Sequence, residues 1–166
     1  MARGNISIVR PGGLYFPPSM QFRTEAGSTA IVAGEPVKLG GTGSNFAILM
    51  IDGDPELAGG VSADTVIGVA STDGTHTAAA NGVVDVLLPL GGVVFSARAL
   101  TVGSVDTDAE LLGVLNDRVV FDLTAGVFTV DAAAGDSATN GIRIVGGDIN
   151  TSQVHFVFLQ RGNLFN

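Results

Sequence analysis

The apolar residues of this chain come in short runs, and almost every run ends near a glycine, proline, aspartate or asparagine. The runs are rich in β-branched side chains, as at 66–71 and 83–88. Such side chains pack well on a pleated sheet, and runs this short favour strands over helices. The 24 glycines among 166 residues supply the positive backbone φ angles that tight turns need. This pattern predicts an all-β fold, a small β-barrel or β-sandwich.

Within this pattern we predict a series of strands and at most one short helix. The strands are predicted at 36–39, 46–51, 66–71, 83–88, 93–99, 119–123, 127–130, 142–145 and 154–159. The helix is predicted at 106–115, where leucines recur at helical spacing and Asp106 or Thr107 can cap the first turn.

Residues 1–26 are predicted to form an extended Pro/Gly-rich N-terminal arm, followed by a single β domain at 27–166. Pro11, Pro17 and Pro18 oppose a helix and a central strand, because proline lacks the backbone N–H that both use. Apolar side chains on such a segment dock across the protein's own barrel or onto a neighbouring subunit. The predicted interface residues are these side chains and two flanking arginines: Arg10, Leu14, Tyr15, Phe16, Met20, Phe22 and Arg23.

Charge is scarce in this chain and mostly negative. Charged residues make up 14% of the sequence and the net charge is −8, whereas isolated domains carry about a quarter charged residues. Part of the surface is therefore expected to be covered by further copies of the chain. Nucleic acid and anionic membranes are not expected as partners, because they need clustered Lys and Arg, and Lys38 is the single lysine.

The sequence also bears on the compartment of the protein. It has no cysteine, which excludes disulfides and thiolate metal sites. The first ten residues lack the apolar stretch of a signal peptide, and no run reaches the ~20 apolar residues of a membrane span. We expect a soluble protein that is not exported.

Two segments place carboxylates at alternate positions, a pattern that in a loop could converge on a hard cation such as Ca²⁺. Neither segment has the fixed glycine and distal glutamate of an EF-hand loop, so solvated turns are the favoured interpretation and cation binding stays open. The residues are Asp52, Asp54 and Glu56 in one segment and Asp106, Asp108 and Glu110 in the other.

No residue pattern points to catalysis or to a cofactor. No serine lies in the Gly-x-Ser-x-Gly turn that exposes a nucleophile. The glycine-rich segment 40–44 is followed neither by the Lys-Ser/Thr of a phosphate loop nor by a helix. We therefore predict no catalytic residues, no cofactor, no bound metal and no small-molecule substrate.

Three segments, in order, resemble the capsid decoration (cement) proteins of tailed bacteriophages: Val-Ala-Gly-Glu-Pro-Val-Lys-Leu at 32–39, Val-Ile-Gly-Val-Ala at 66–70, and Val-Asp-Val-Leu-Leu-Pro-Leu-Gly-Gly-Val-Val at 84–94. Each has a physical interpretation. Gly34 permits the turn into a strand, Gly68 lets two strands approach closely, and Gly91 with Gly92 reverses the chain. The similarity covers residues 27–99, and residues 100–166 are unmatched.

The resemblance implies a compact β-barrel or β-tulip-like domain, commonly a homotrimer at three-fold positions of an icosahedral head. Such a protein binds the major capsid protein on the outer surface of the virion, after synthesis in the host cytoplasm. The resemblance then makes the predicted interface residues of the arm candidates for contact with the capsid or an adjacent copy.

Two other classes share parts of this pattern. Another virion subunit, such as a head fibre base, a tail tube or an adaptor, has a similar glycine-rich β composition. A β-barrel module that binds carbohydrate or acts as an enzyme needs surface aromatics or a carboxylate cleft, and the chain has no tryptophan and one tyrosine.

Overall fold

The computed structural model describes residues 6–11, 18–57, 65–90 and 92–159, and the chain is built almost entirely from strands. The strands are β1 (Ser7–Pro11), β2 (Ser19–Thr24), β3 (Pro36–Gly40), β4 (Phe46–Leu49), β5 (Val66–Ala70), β6 (Gly82–Leu87), β7 (Val93–Arg98), β8 (Arg118–Val119), β9 (Phe121–Thr124), β10 (Val127–Val130), β11 (Ile142–Asp148) and β12 (Gln153–Phe158). A single α-helix, α1 (Asp108–Val114), interrupts the strands of this described part. The prediction of an all-β fold with one short helix is confirmed.

The first half of the chain closes a five-stranded barrel in the order β2-β4-β3-β5-β6. All neighbours are antiparallel except β2 and β4, which are parallel. Its interior is filled by small and β-branched side chains, which a narrow barrel accommodates. The buried members of this barrel core are Ile31, Val37, Ala47, Ile67, Ala70, Val84 and Val86.

Gly68 is the residue at which the barrel wall is tightest. Its φ is +138°, and a Cβ atom at this position would lie 2.0 Å from the carbonyl oxygen of Leu87 on β6. No side chain fits there, so the predicted close approach of two strands at Gly68 is confirmed. Gly34 also has a positive φ, +86°, in the turn before β3.

The second half, together with β1 from the start of the chain, forms a five-stranded antiparallel sheet in the order β1-β7-β12-β11-β8, with the hairpin β9-β10 beside it. Their shared core is aromatic. The ring centres of Phe121 and Phe156 lie 5.4 Å apart, and those of Phe95 and Phe158 lie 5.3 Å apart. Both pairs are edge to face, an arrangement that aromatic rings prefer. Met50, Val66 and Val69 join this core, so the barrel and the sheet are packed together.

The predicted strand at 119–123 is divided in two. Residue 120 separates β8, which pairs with β11, from β9, which pairs with β10. The chain therefore changes partner strands at this point. Gly92, with φ +83°, likewise lies between β6 of the barrel and β7 of the sheet, so it joins two sheets and does not form a hairpin.

The helix α1 begins as the sequence predicts. Thr107 is the N-cap, its Oγ1 accepts a hydrogen bond from the Glu110 backbone N–H, and Oγ1 donates to the Glu110 carboxylate at 2.7 Å. These two hydrogen bonds stabilise the first turn of the helix. Among the described residues, no helix is long and apolar enough to cross a membrane.

The prediction that prolines keep the first 26 residues out of a central strand is wrong for Ser19–Thr24. Strand β2 pairs with β6 along its whole length and meets β4 at Thr24, so it closes the barrel. Pro17 and Pro18 precede the strand, where a missing N–H does not interrupt the hydrogen-bond ladder. β1 lies at an edge of the second sheet, paired with β7, and Pro11 is its last residue.

Candidate functional site

The predicted interface residues of the N-terminal segment are placed in different environments. Met20 and Arg23 are exposed on β2, and the Arg23 guanidinium lies 5.2 Å from the centre of the Phe46 ring. Phe22 instead packs against the barrel core. Arg10 belongs to β1, and the remaining three predicted residues, Leu14, Tyr15 and Phe16, lie outside the described residues.

The first alternating carboxylate segment connects the barrel to the hairpin β9-β10. Asp54 Oδ2 lies 2.8 Å from Lys38 Nζ and accepts the Ile51 backbone N–H, and both side chains of the ion pair are largely buried. Asp52 accepts the backbone N–H of Leu123 on β9. These carboxylates bind different donors, and no three His, Cys, Asp or Glu side chains in the described ranges form a group that could hold a metal ion.

A serine and a histidine meet in the loops beside the barrel. Ser28 Oγ lies 3.2 Å from His76 Nε2 and donates a 2.7 Å hydrogen bond to the Glu25 carbonyl oxygen. In a catalytic triad a carboxylate holds Nδ1 of the histidine, whereas Nδ1 of His76 is buried and has no hydrogen-bond partner among the described residues. The contact links two loops and lacks the third group of a triad.

A cavity of about 320 Å³ lies at the junction of the barrel and hairpin β9-β10. Its lining is mostly apolar, and Ile51 is 61% exposed at its edge. None of the described residues in its wall has an ionisable side chain, so this part of the wall offers packing volume but no acid or base. The main lining residues are Ser28, Thr29, Ile48, Met50, Ile51 and Leu123.

The side of the second sheet that faces away from the aromatic core forms a second candidate surface, which we call the outer sheet face. Successive residues of a strand point to opposite sides, so the neighbours of Phe95, Ile144 and Phe156 lie on this face. Val94 and Ser96 are buried there, whereas Arg143 and Val145 are exposed. A groove of about 260 Å³ runs across it between Val9, Val94, Val145 and His155. Val9 and Val145 are 47% and 42% exposed.

The five strands that form the outer sheet face together carry a net positive charge. The chain as a whole is acidic, with 16 acidic and 8 basic residues. The basic residues of these strands are Arg10, Arg98, Arg118 and Arg143, and the single acidic residue is Asp148 at the end of β11. Asp148 accepts hydrogen bonds from Asn150 and Thr151. Sequence reasoning missed this surface, because the arginines are far apart in the chain.

Arg118 is partly neutralised at the sheet edge. Its guanidinium donates two 2.9 Å hydrogen bonds to the Asp136 carboxylate, and its backbone N–H donates a third. These hydrogen bonds, with smaller contributions from the charges of Arg118 and Arg143, lower the pKa of Asp136 to about 2. Arg98 and Arg143 are exposed, and neither forms a salt bridge within 4.0 Å to another described residue. Among the described side chains of this face, the positive charges without an ion pair are therefore those of Arg98 and Arg143.

Comparisons with models of protein families, with curated protein sequences and with solved structures found no match to this chain.

Proposed function

We propose that this protein decorates the outside of the assembled icosahedral head of a tailed bacteriophage. In this role it is a homotrimer that binds the major capsid protein and holds neighbouring capsid subunits together. The observation that supports this best is the position of three glycines from the cement-like segments. Gly34, Gly68 and Gly92 all lie at positive φ, at +86°, +138° and +83°, where residues with a Cβ are strained. The motifs therefore coincide with backbone constraints of the fold.

Stabilisation of the head follows from mass action. A ligand that binds the assembled lattice but not its separated subunits opposes disassembly in proportion to its own binding free energy. A trimer presents three copies of each contact at once, so weak individual contacts combine into tight attachment. The rigid β body with its two packed cores suits such a clamp, because little ordering is needed when it binds.

The candidate contact residues on the described surface are Met20 and Arg23 of β2. Both are exposed, and each combines apolar area with a group suited to an interface, a flexible thioether or a guanidinium. Leu14, Tyr15 and Phe16 precede them in the chain and complete the proposed contact region. Phe22 is assigned to the barrel core because it packs there.

Co-sedimentation with heads assembled without the protein tests the proposal. The wild-type protein is expected to pellet with intact heads and to remain in the supernatant with dissociated capsid protein. A Met20→Asp/Arg23→Glu variant is expected to bind the heads at least about tenfold more weakly, because it places negative charge where an apolar and a cationic group made contact.

Val127→Asp is the matched control, since Val127 on β10 is 40% exposed, close to the 48% of Met20. This variant is expected to bind heads as the wild type does. The proposal is contradicted if the same amount of wild-type protein pellets with and without heads. It is also contradicted if the Met20/Arg23 variant binds heads as tightly as the wild type does. A hexameric ring in solution with no affinity for heads would instead favour a tail-tube or adaptor subunit.

A further inference from the structure

The helix α1 presents a surface with the opposite character to the outer sheet face. Asp106, Asp108 and Glu110 are exposed around its first turn, and Leu112 is 67% exposed one turn later. Val102, in the short 3-10 helix that contacts α1, is 39% exposed. We call these five residues the acidic helix edge; they combine negative charge with apolar area.

The negative charges at this edge are crowded in the free protein. A hydrogen bond with Glu110, together with the charge of Glu110, raises the pKa of Asp106. No basic residue occurs between residues 99 and 117 to offset them. A cation brought by another molecule would therefore relieve repulsion as well as add attraction.

The two surfaces lie on opposite sides of the sheet. A Cβ atom on Gly147 of β11 would lie 2.9 Å from a methyl group of Leu111, and Gly147 pairs with the buried Val154. The helix is therefore on the core side, whereas Arg98, Arg143 and the groove are on the outer side. A single copy does not bring its own two surfaces together.

We propose that the outer sheet face of one copy binds the acidic helix edge of a second copy. In this interface Arg98 and Arg143 meet Asp106, Asp108 and Glu110, while Leu112 packs into the groove between Val9, Val94, Val145 and His155. Each copy uses one surface on each neighbour, so the contact is head to tail and closes into a ring when the rotation between copies permits it. The inference rests on the self-association in the proposed function, and it does not depend on binding to phage heads.

Light scattering on separated peaks, with two charge-reversal variants, tests this interface. The wild-type protein is expected to be oligomeric, and Arg98→Glu/Arg143→Glu and Asp106→Lys/Asp108→Lys are each expected to be monomeric. Reversing two charges should weaken association at least about 100-fold, tenfold for each reversed pair. Circular dichroism melts check that both variants are folded. Val127→Asp, an exposed substitution on β10 outside both surfaces, is the control and should leave the oligomer intact.

Mixing the two monomeric variants gives the decisive result. One retains an intact acidic helix edge and the other an intact outer sheet face, and their two reversed surfaces are also opposite in charge, so an equimolar mixture should associate although neither variant does so alone. A mixture that stays monomeric overturns the pairing of these two surfaces. A monomeric wild type, or an oligomer unaffected by Arg98→Glu/Arg143→Glu, also overturns it.

The outcomes separate this inference from the proposed function. If the Arg98/Arg143 variant remains oligomeric but no longer binds heads, the outer sheet face contacts the capsid and the self-association inference is refuted. If it becomes monomeric and the two variants associate when they are mixed, the inference holds whether or not the protein binds heads. The weakening of wild-type association by salt is an independent check, since ion pairs at a surface are screened.

Discussion

Replacing Gly68 by alanine tests whether the close approach of β5 and β6 holds the barrel closed. The added Cβ would lie 2.0 Å from the carbonyl oxygen and 3.0 Å from the carbonyl carbon of Leu87. Both are backbone atoms, so no change of side-chain rotamer removes the overlap. The two strands must separate, or β5 must change its backbone angles.

The cost can be worked out from two contributions. A non-glycine residue held at an unfavourable positive φ costs about 1–3 kcal/mol. β5 and β6 are paired at two positions, Val69 with Leu87 and Ala70 with Val86, and each backbone hydrogen bond lost there costs about 1 kcal/mol. The variant should therefore lose about 4 kcal/mol of unfolding free energy. That is a large part of the roughly 5–15 kcal/mol typical of a folded domain.

Urea unfolding followed by circular dichroism measures this loss, with two glycines as controls. Gly53 has φ +82° and no atom within 4 Å of the position that a Cβ would occupy, so Gly53→Ala should show only the strain contribution, about 1 kcal/mol. Gly113 lies in α1 and also has open space around it, so Gly113→Ala should stabilise the protein by about 0.5–1 kcal/mol. A Gly68→Ala loss no larger than that of Gly53→Ala would refute the steric argument.

Two further substitutions test polar groups. The Thr24 hydroxyl is fully buried in the barrel and has no hydrogen-bond partner in the described part of the chain, so Thr24→Val, which keeps the shape, should raise the unfolding free energy by about 1 kcal/mol; a lower urea midpoint would show that the hydroxyl is satisfied. The pKa of Asp136 is lowered to about 2 by Arg118, so its ionised form stabilises the fold at pH values above about 4 and this contribution is lost as the pH falls towards about 2. The stability difference between wild type and Asp136→Asn should therefore be present near neutral pH and absent at the acid end of this range; a difference independent of pH would contradict this assignment.

Local chemistry made the elements predictable. Every predicted strand overlaps an observed strand, because β-branched runs and the turn residues between them act over a few neighbouring positions. The helix start was predictable for the same reason, since Thr107 and Glu110 are three residues apart and hydrogen-bond to each other, with Thr107 as the N-cap. Gly68 was also correctly interpreted from its place inside an apolar run.

The candidate surfaces could be predicted from the sequence only in part. Arg143 and Val145 alternate with the buried Ile142 and Ile144, so their position on one side of a strand could be read from the period of two. That Arg98, from a strand far earlier in the chain, lies on the same face depends on β12 pairing between β7 and β11. Similarly, nothing local to β2 indicates that it pairs with β6 and meets β4.

The sequence by itself determined where this chain forms strands, where it turns, where its helix begins, and that its surface is poor in charge. Only the tertiary structure decided that β2 closes a barrel, that phenylalanines from distant strands gather in one core, and that the arginines share a face opposite to the acidic helix edge. The reason is physical. Turn and strand preferences are set by neighbouring residues, whereas pairing between distant strands is decided by the packing of the whole chain.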